Sequence, residues 1–191
     1  MSALAAEKAA ARAVAMERRA ELHKDGAGAA RRAAAHALDV IAPLRHVRVV
    51  AVYLPMRSEI DPTPLMLALG GLGHVVAAPV IGGRGLPLSF RAWRPGAALA
   101  RGPLGAPHPA EGETVEPDLV VAPLLAFDAG GWRLGYGGGY YDRTLAGLRA
   151  ARSLTALGFA YAGQEVERVP RGPDDARLDA IVTEAGLIRP A

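Results

Sequence analysis

Five short apolar runs constrain the fold more than anything else in the chain. Val47–Leu54 (VRVVAVYL), His74–Val80, Asp118–Ala122, Leu154–Phe159 and Ala180–Thr183 each suit a strand buried on both faces. Leu86–Trp93 alternates as a sixth. Helical segments are expected between several of them: around Leu65–Leu69, stopped by Gly70 and Gly71, and over about Tyr140–Ala150. Ahead of the first strand, Ser2 can cap a helix running to about Leu22. Gly26 and Gly28 break it, and a second Ala-rich helix follows over about Ala29–Ile41 before Pro43. Strands alternating with helices predict an α/β fold, a three-layer α/β/α sandwich with a largely parallel sheet. Residues 1–191 read as a single domain, with the N-terminal helices of 1–42 packed on the α/β core. Residues 95–116, rich in Pro and Gly, read as one long loop.

Composition excludes several classes. No cysteine is present, which removes disulfide scaffolds, thiol nucleophiles and thiolate metal sites and favours a reducing cytoplasm. The longest informative apolar run, Leu119–Phe127, contains Pro123 and falls far short of the roughly 18 residues a membrane helix needs. Glu7, Glu17 and Glu21 interrupt the Arg-rich N-terminus, unlike a transit peptide. Net charge is only +3, and the arginines are scattered from Arg12 to Arg189 rather than clustered between aromatics, so no nucleic-acid partner and no membrane partner are expected.

The chemistry concentrates in Arg133-Leu134-Gly135-Tyr136-Gly137-Gly138-Gly139-Tyr140-Tyr141-Asp142. Glycines without side chains let successive backbone N–H groups converge on an anion, and a helix starting directly afterwards adds its own free N–H groups. Arg133 can supply a bidentate phosphate contact, and Asp142 in the first helical turn a hard carboxylate for a phosphate-bound cation. Neither common nucleotide motif fits. No Lys-Ser/Thr pair follows the glycines, and Tyr140 stands where the last glycine of G-x-G-x-x-G belongs.

The stretch Pro123–Arg143 resembles the signature of the 5-formyltetrahydrofolate cyclo-ligase family, P-x-x-A-F-D-x-x-G-x-R-L-G-x-G-x-G-Y-Y-D, without a gap. The resemblance extends to Lys8 and Arg12, to Tyr53-Leu54 with Glu59, and to Gln164, Pro170, Asp175, Asp179 and Thr183-Glu184. Two positions depart from the family. His108 stands where it usually has Glu or Gln, and Asp174 where it has His.

The resemblance implies an ATP- and Mg2+-dependent ligase, expected to act as a monomer, that closes 5-formyltetrahydrofolate to 5,10-methenyltetrahydrofolate. It implies that Lys8 and Arg12 reach the ATP phosphates, and that Leu134, Gly135, Tyr136, Gly137, Gly138, Gly139, Tyr140 and Tyr141 form the ATP loop. Arg133, and Lys8 with it, would stabilise the transferring phosphoryl group, and Asp142 and Asp175 would hold the metal. On the folate side it implies Leu54, Glu59, Trp93, His108 and one of Tyr140 and Tyr141. Asp128 falls inside the signature but is also placed to serve the turn before Gly130 and Gly131. Arg133 is read as lying on an exposed loop.

Overall fold

The computed structural model describes residues 2–24 and 26–190. Helix α1 (Ala3–His23) begins where the sequence places it, with the Ser2 hydroxyl accepting from the Ala5 N–H at 3.2 Å. Helix α2 runs Gly26–Ile41, three residues earlier than the glycine-based start. There follow β1 (Val49–Val52), α3 (Thr63–Gly71), β2 (Val75–Ile81) and β3 (Leu88–Ala92). The expected long loop instead contains a small hairpin of β4 (Leu99–Arg101) and β5 (Pro107–Pro109), joined through a 3-10 turn at Pro103–Gly105. Beyond it lie β6 (Leu119–Ala122), β7 (Ala126–Phe127), β8 (Arg133–Leu134), α4 (Tyr140–Ala151), β9 (Thr155–Phe159), β10 (Ala180–Thr183) and β11 (Gly186–Ile188).

Seven strands form the main sheet in the order β11-β10-β9-β6-β1-β2-β3. The central pairings are parallel and the two edge pairings, β2 with β3 and β10 with β11, are antiparallel. Volumes on the two faces are complementary. Val50, Val52, Leu119, Val121, Leu157 and Phe159 point toward α2 and α3, and α2 answers with small residues: Ala30, Ala33, Ala34 and Ala37. On the opposite face the sheet offers Ala51, Ala77, Ala122 and Ala156, against which Leu145 of α4 packs. This is the three-layer sandwich.

Helix α1 does not lie on a sheet face. Its Ala15 packs with Leu125, Leu134 and Val169, and Leu22 presses against Gly163, so α1 runs across the loops beyond the strands. From β1 the chain steps outward to β2 and β3, then returns to pair β6 on the other side of β1. In open α/β sheets, the carboxyl ends of the strands at such a reversal open a crevice. Here the segments leaving that point are 53–59 and 123–142.

Candidate active site

A cleft of about 610 Å³ occupies that crevice. Its walls are α1, the segment after β1, the glycine loop with the start of α4, and the tip of the β4–β5 hairpin. The glycine loop is folded against two arginines. Arg12 Nε donates to the Gly135 carbonyl at 2.9 Å, and Arg143 Nη2 to the Gly138 carbonyl at 2.7 Å. Gly137 adopts φ +96° with the Arg12 guanidinium 3.0 Å from where a Cβ would stand, so only glycine fits there. Gly139, at φ +64°, opens α4 with no side-chain cap. Among the described residues no internal partner accepts from the Gly137, Gly138 or Gly139 N–H groups. Unpaired amides beside an uncapped helix start are what an anion requires.

Cations and carboxylates alternate beside this loop. The Arg133 side chain is buried, contrary to its expected exposure, because β7 and β8 pair as a hairpin and draw it inward. It donates to the Ala176 carbonyl and, at 2.6 Å, to Asp142 Oδ1, which also accepts from the Ala176 N–H at 3.1 Å. Burial lowers the Arg133 pKa, with Asp142 opposing. Lys8 Nζ donates to Asp175 Oδ2 at 2.5 Å, and the Gly172 N–H donates to the same oxygen at 2.6 Å.

Apolar side chains line the same cleft, among them Leu54, Met16, Ile81 and Leu88. Glu59 sits there, almost wholly buried, accepting from the Met56 N–H at 2.8 Å. Burial raises its carboxyl from 4.5 to about 7, against the Met56 amide, Arg19, Arg57 and the Tyr136 hydroxyl. Burial pushes the Tyr141 phenol well up, Glu59 adds to the rise and Arg133 opposes it, so the phenol keeps its proton beside the cleft. Tyr140 lies over Gly138, with the Arg143 guanidinium 5.4 Å above its ring. Tyr141 is thus the tyrosine nearer Glu59.

Residues 4–184 match the family model of the 5-formyltetrahydrofolate cyclo-ligase family. The chain belongs to that family. A 5-formyltetrahydrofolate cyclo-ligase from Escherichia coli (strain K12) is 34% identical over 151 residues, covering 74% of this chain and 80% of the relative. One from Mycolicibacterium smegmatis is 34% identical over 144 residues, 71% and 73% of the two chains. The NMR structure of Aquifex aeolicus 5,10-methenyltetrahydrofolate synthetase superposes with a TM-score of 0.73 at 30% identity, covering 95% of this chain and 92% of that one. The Mycoplasma pneumoniae synthetase shares the fold, with a TM-score of 0.75 at 22% identity over 93% and 98% of the two chains.

For this cyclo-ligase chain, Lys8, Arg12, Leu54, Glu59, Asp175 and the whole of 133–142 line one cleft. Trp93 and His108 do not. Trp93 directly follows β3 and packs against the core on the α2–α3 side of the sheet. His108 pairs with Ala100 in the hairpin, its ring set against Gly102. Asp128 serves the turn: its carboxylate accepts from the Gly130, Trp132 and Val169 N–H groups. Among the residues that escaped the sequence reading are Arg143 on the cleft wall and Arg19, buried behind it. Arg143 directly follows the signature's Asp142. Arg19 falls eleven residues after Lys8 and so on the same helical face, a periodicity that was there to be read.

Proposed function

We propose that this enzyme closes 5-formyltetrahydrofolate to 5,10-methenyltetrahydrofolate at the expense of ATP, and that residues 1–191 act as one cyclo-ligase domain. The observation that carries the reading is the composition of one cleft: unpaired amides and basic side chains, together with apolar walls and a buried carboxyl. The first suits a triphosphate, the second a pterin ring with hydrogen-bonding edges.

The chemistry needs both. A formamide oxygen is a poor leaving group, so attack by the neighbouring N10 stalls at its departure. Transfer of the γ-phosphoryl group to that oxygen releases ADP and makes the C–O bond cleavable. N10 then bonds the formyl carbon and loses its proton as inorganic phosphate leaves. The amides of 137–139 with Lys8 and Arg12 hold the phosphates, and Arg133 offsets charge on the transferring group. Glu59 and Leu54 hold the folate so that its formyl oxygen faces the phosphate.

Magnesium fits this donor set. Among the described residues no cluster of three His, Asp or Glu forms a protein cage. Mg2+ is usually held by one or two carboxylates together with substrate phosphates. Asp142 and Asp175 would hold it, and it would supply further charge neutralisation.

No described helix is long and apolar enough to cross a membrane. A cytoplasmic monomer is our reading, which size-exclusion chromatography tests for mass. The activity test is direct. Purified protein with Mg-ATP and 5-formyltetrahydrofolate should develop the methenyl-folate absorbance with one ADP per product. Folate-dependent ADP release without that absorbance, or no release from folded protein, rejects the reaction.

A further inference from the structure

Lys8, Arg12, Met16 and Arg19 follow one another at spacings of four, four and three along one face of α1. The first three line the cleft, whereas Arg19 is 1% exposed. A guanidinium taken wholly out of water costs several kcal/mol unless its N–H groups are satisfied. Arg19 satisfies them on three separate segments. Its Nε donates to the Ser58 hydroxyl at 3.2 Å and its Nη1 to the Leu124 carbonyl at 3.1 Å. Its Nη2 donates to the Tyr136 hydroxyl. Nη1 also lies 3.7 Å from Glu59 Oε1, and Cζ 5.3 Å from the centre of the Tyr136 ring.

Those segments are the ones leaving β1 and β6, together with the glycine loop. One buried charge therefore spans the point where the strand order reverses. Glu59 lies on the segment after β1 and Tyr136 in the anion-binding loop, and among the described residues no other cation touches both so closely while being itself shut from solvent. Arg57 lies 5.6 Å from the Tyr136 ring but is exposed to solvent, on a backbone of φ +54°.

We infer that Arg19 is a positioning residue that holds the Glu59 carboxylate and the Tyr136 hydroxyl in one register, so that the folate end and the nucleotide loop are set together. The inference rests on the reading of the cleft given above. An apolar side chain of similar volume would fill the same space without the desolvation cost. What it could not do is direct one hydrogen bond into the loop while keeping a positive charge beside the carboxyl.

The groups facing Glu59 are Arg19 from α1, Arg57 on its own segment, Tyr53 at the end of β1, Tyr136 from the glycine loop and Tyr141 from α4. Arg19, Arg57 and the Tyr136 hydroxyl hold the Glu59 carboxyl down against its burial. Removing Arg19 therefore lets it rise further.

The test is a carbon-13 NMR titration of the Glu59 carboxyl in ligand-free protein, assigned by its loss in Glu59→Gln. In Arg19→Met the midpoint should move up by about one pH unit or more, with Arg19→Lys between it and the parent. Tyr136→Phe leaves the buried charge in place and is the safer variant for folding; it should also move the midpoint upward. Kinetically, Arg19→Met should raise KM for 5-formyltetrahydrofolate about tenfold and shift the acid limb of kcat/KM upward, while Arg19→Lys recovers part of both. A midpoint unmoved in folded Arg19→Met overturns the proposal. If that variant does not fold, an unmoved midpoint in Tyr136→Phe does so. Parent protein without turnover rejects the substrate reading instead, and the titration still judges Arg19.

Discussion

Arg133 Nη2 and Asp142 Oδ1 meet at 2.6 Å, and between them in sequence lies the whole glycine loop. The pair ties the strand that enters the loop to the first turn of the helix that leaves it. A loop carrying several glycines has much conformational freedom to lose, and clamping its two ends removes part of that cost before any anion arrives. Asp142 is in turn fixed by the Ala176 N–H, so the clamp also anchors the segment carrying Asp175.

Arg133→Ala should therefore damage both stability and turnover. Arg133 is buried but Asp142 is 24% exposed, so removing the guanidinium leaves a cavity beside a part-solvated carboxylate and costs about 2 kcal/mol. For a chain of this size that lowers Tm by about 6 °C. The Arg133→Ala/Asp142→Ala double variant should lose less than the sum of the singles. Calorimetry on the four proteins measures the coupling, and strictly additive losses would refute the clamp.

Much of this was legible from sequence, for identifiable reasons. β6 and β10 are buried throughout and β1 at all but its first residue, so their own residues announce them without reference to a partner. β7 and β8 are two residues each, held by each other and by a bridge from Phe127 to Glu165, which leaves no periodicity to detect. The same holds for the three-residue strands of the 99–109 hairpin, set among Pro and Gly. Within the cleft, spacing alone puts Lys8 and Arg12 on one helical face, and only the family resemblance points them to the site. Arg18 and Arg19 are indistinguishable in an Arg-rich helix, yet the first is exposed and the second buried, a difference only packing creates. Trp93 and His108 carry suitable chemistry, but the turn of the chain after β3 and the hairpin pairing aim them elsewhere.

Lys8→Ala should separate binding from stability. The Lys8–Asp175 pair is partly exposed, at 17% and 20%, so its net worth to the fold is under about 1 kcal/mol. A charge facing a triphosphate is worth more, because the ligand supplies several negative charges at once. The variant should keep Tm within about 3 °C of the parent while KM for ATP rises about tenfold or more. An unchanged KM for ATP would remove Lys8 from the phosphate site.

Two glycines of the signature should respond differently to alanine. At Gly131, φ is +80° and a Cβ would come within 2.6 Å of Pro190 and 2.8 Å of the Leu178 carbonyl, so Gly131→Ala must distort backbone. At Gly135 nothing stands within 4 Å and the backbone is ordinary. Gly135→Ala should leave Tm within about 2 °C, whereas Gly131→Ala should lower it by about 5 °C or more. Gly138→Val sits between them: its Cβ would lie 2.6 Å from the Tyr140 ring, which can swing aside. That variant should fold but lose affinity for ATP, because the displaced ring and the new branch crowd the amides. Thermal melts and nucleotide titrations on the three proteins decide.

Glu59 makes stability depend on pH in a direction opposite to an ordinary surface carboxylate. Its folded-state value of about 7 lies above the unfolded 4.5, so the folded protein binds the proton more tightly. The stability it contributes is complete below about pH 4.5 and disappears as pH rises through about 7. Over that window the loss amounts to about 3 kcal/mol. Glu59→Gln abolishes this dependence while keeping shape and much of the hydrogen bonding. Its other effects, such as leaving Arg19 without a carboxylate, do not vary with the Glu59 proton and cancel from the comparison. The difference in unfolding free energy, parent minus variant, should therefore fall by about 3 kcal/mol between pH 4.5 and pH 8. Urea denaturation at a series of pH values measures it. A difference that stays flat, or one that grows with pH, would show that the carboxyl is ionised and well solvated in the folded chain, and with it that water reaches Glu59 freely.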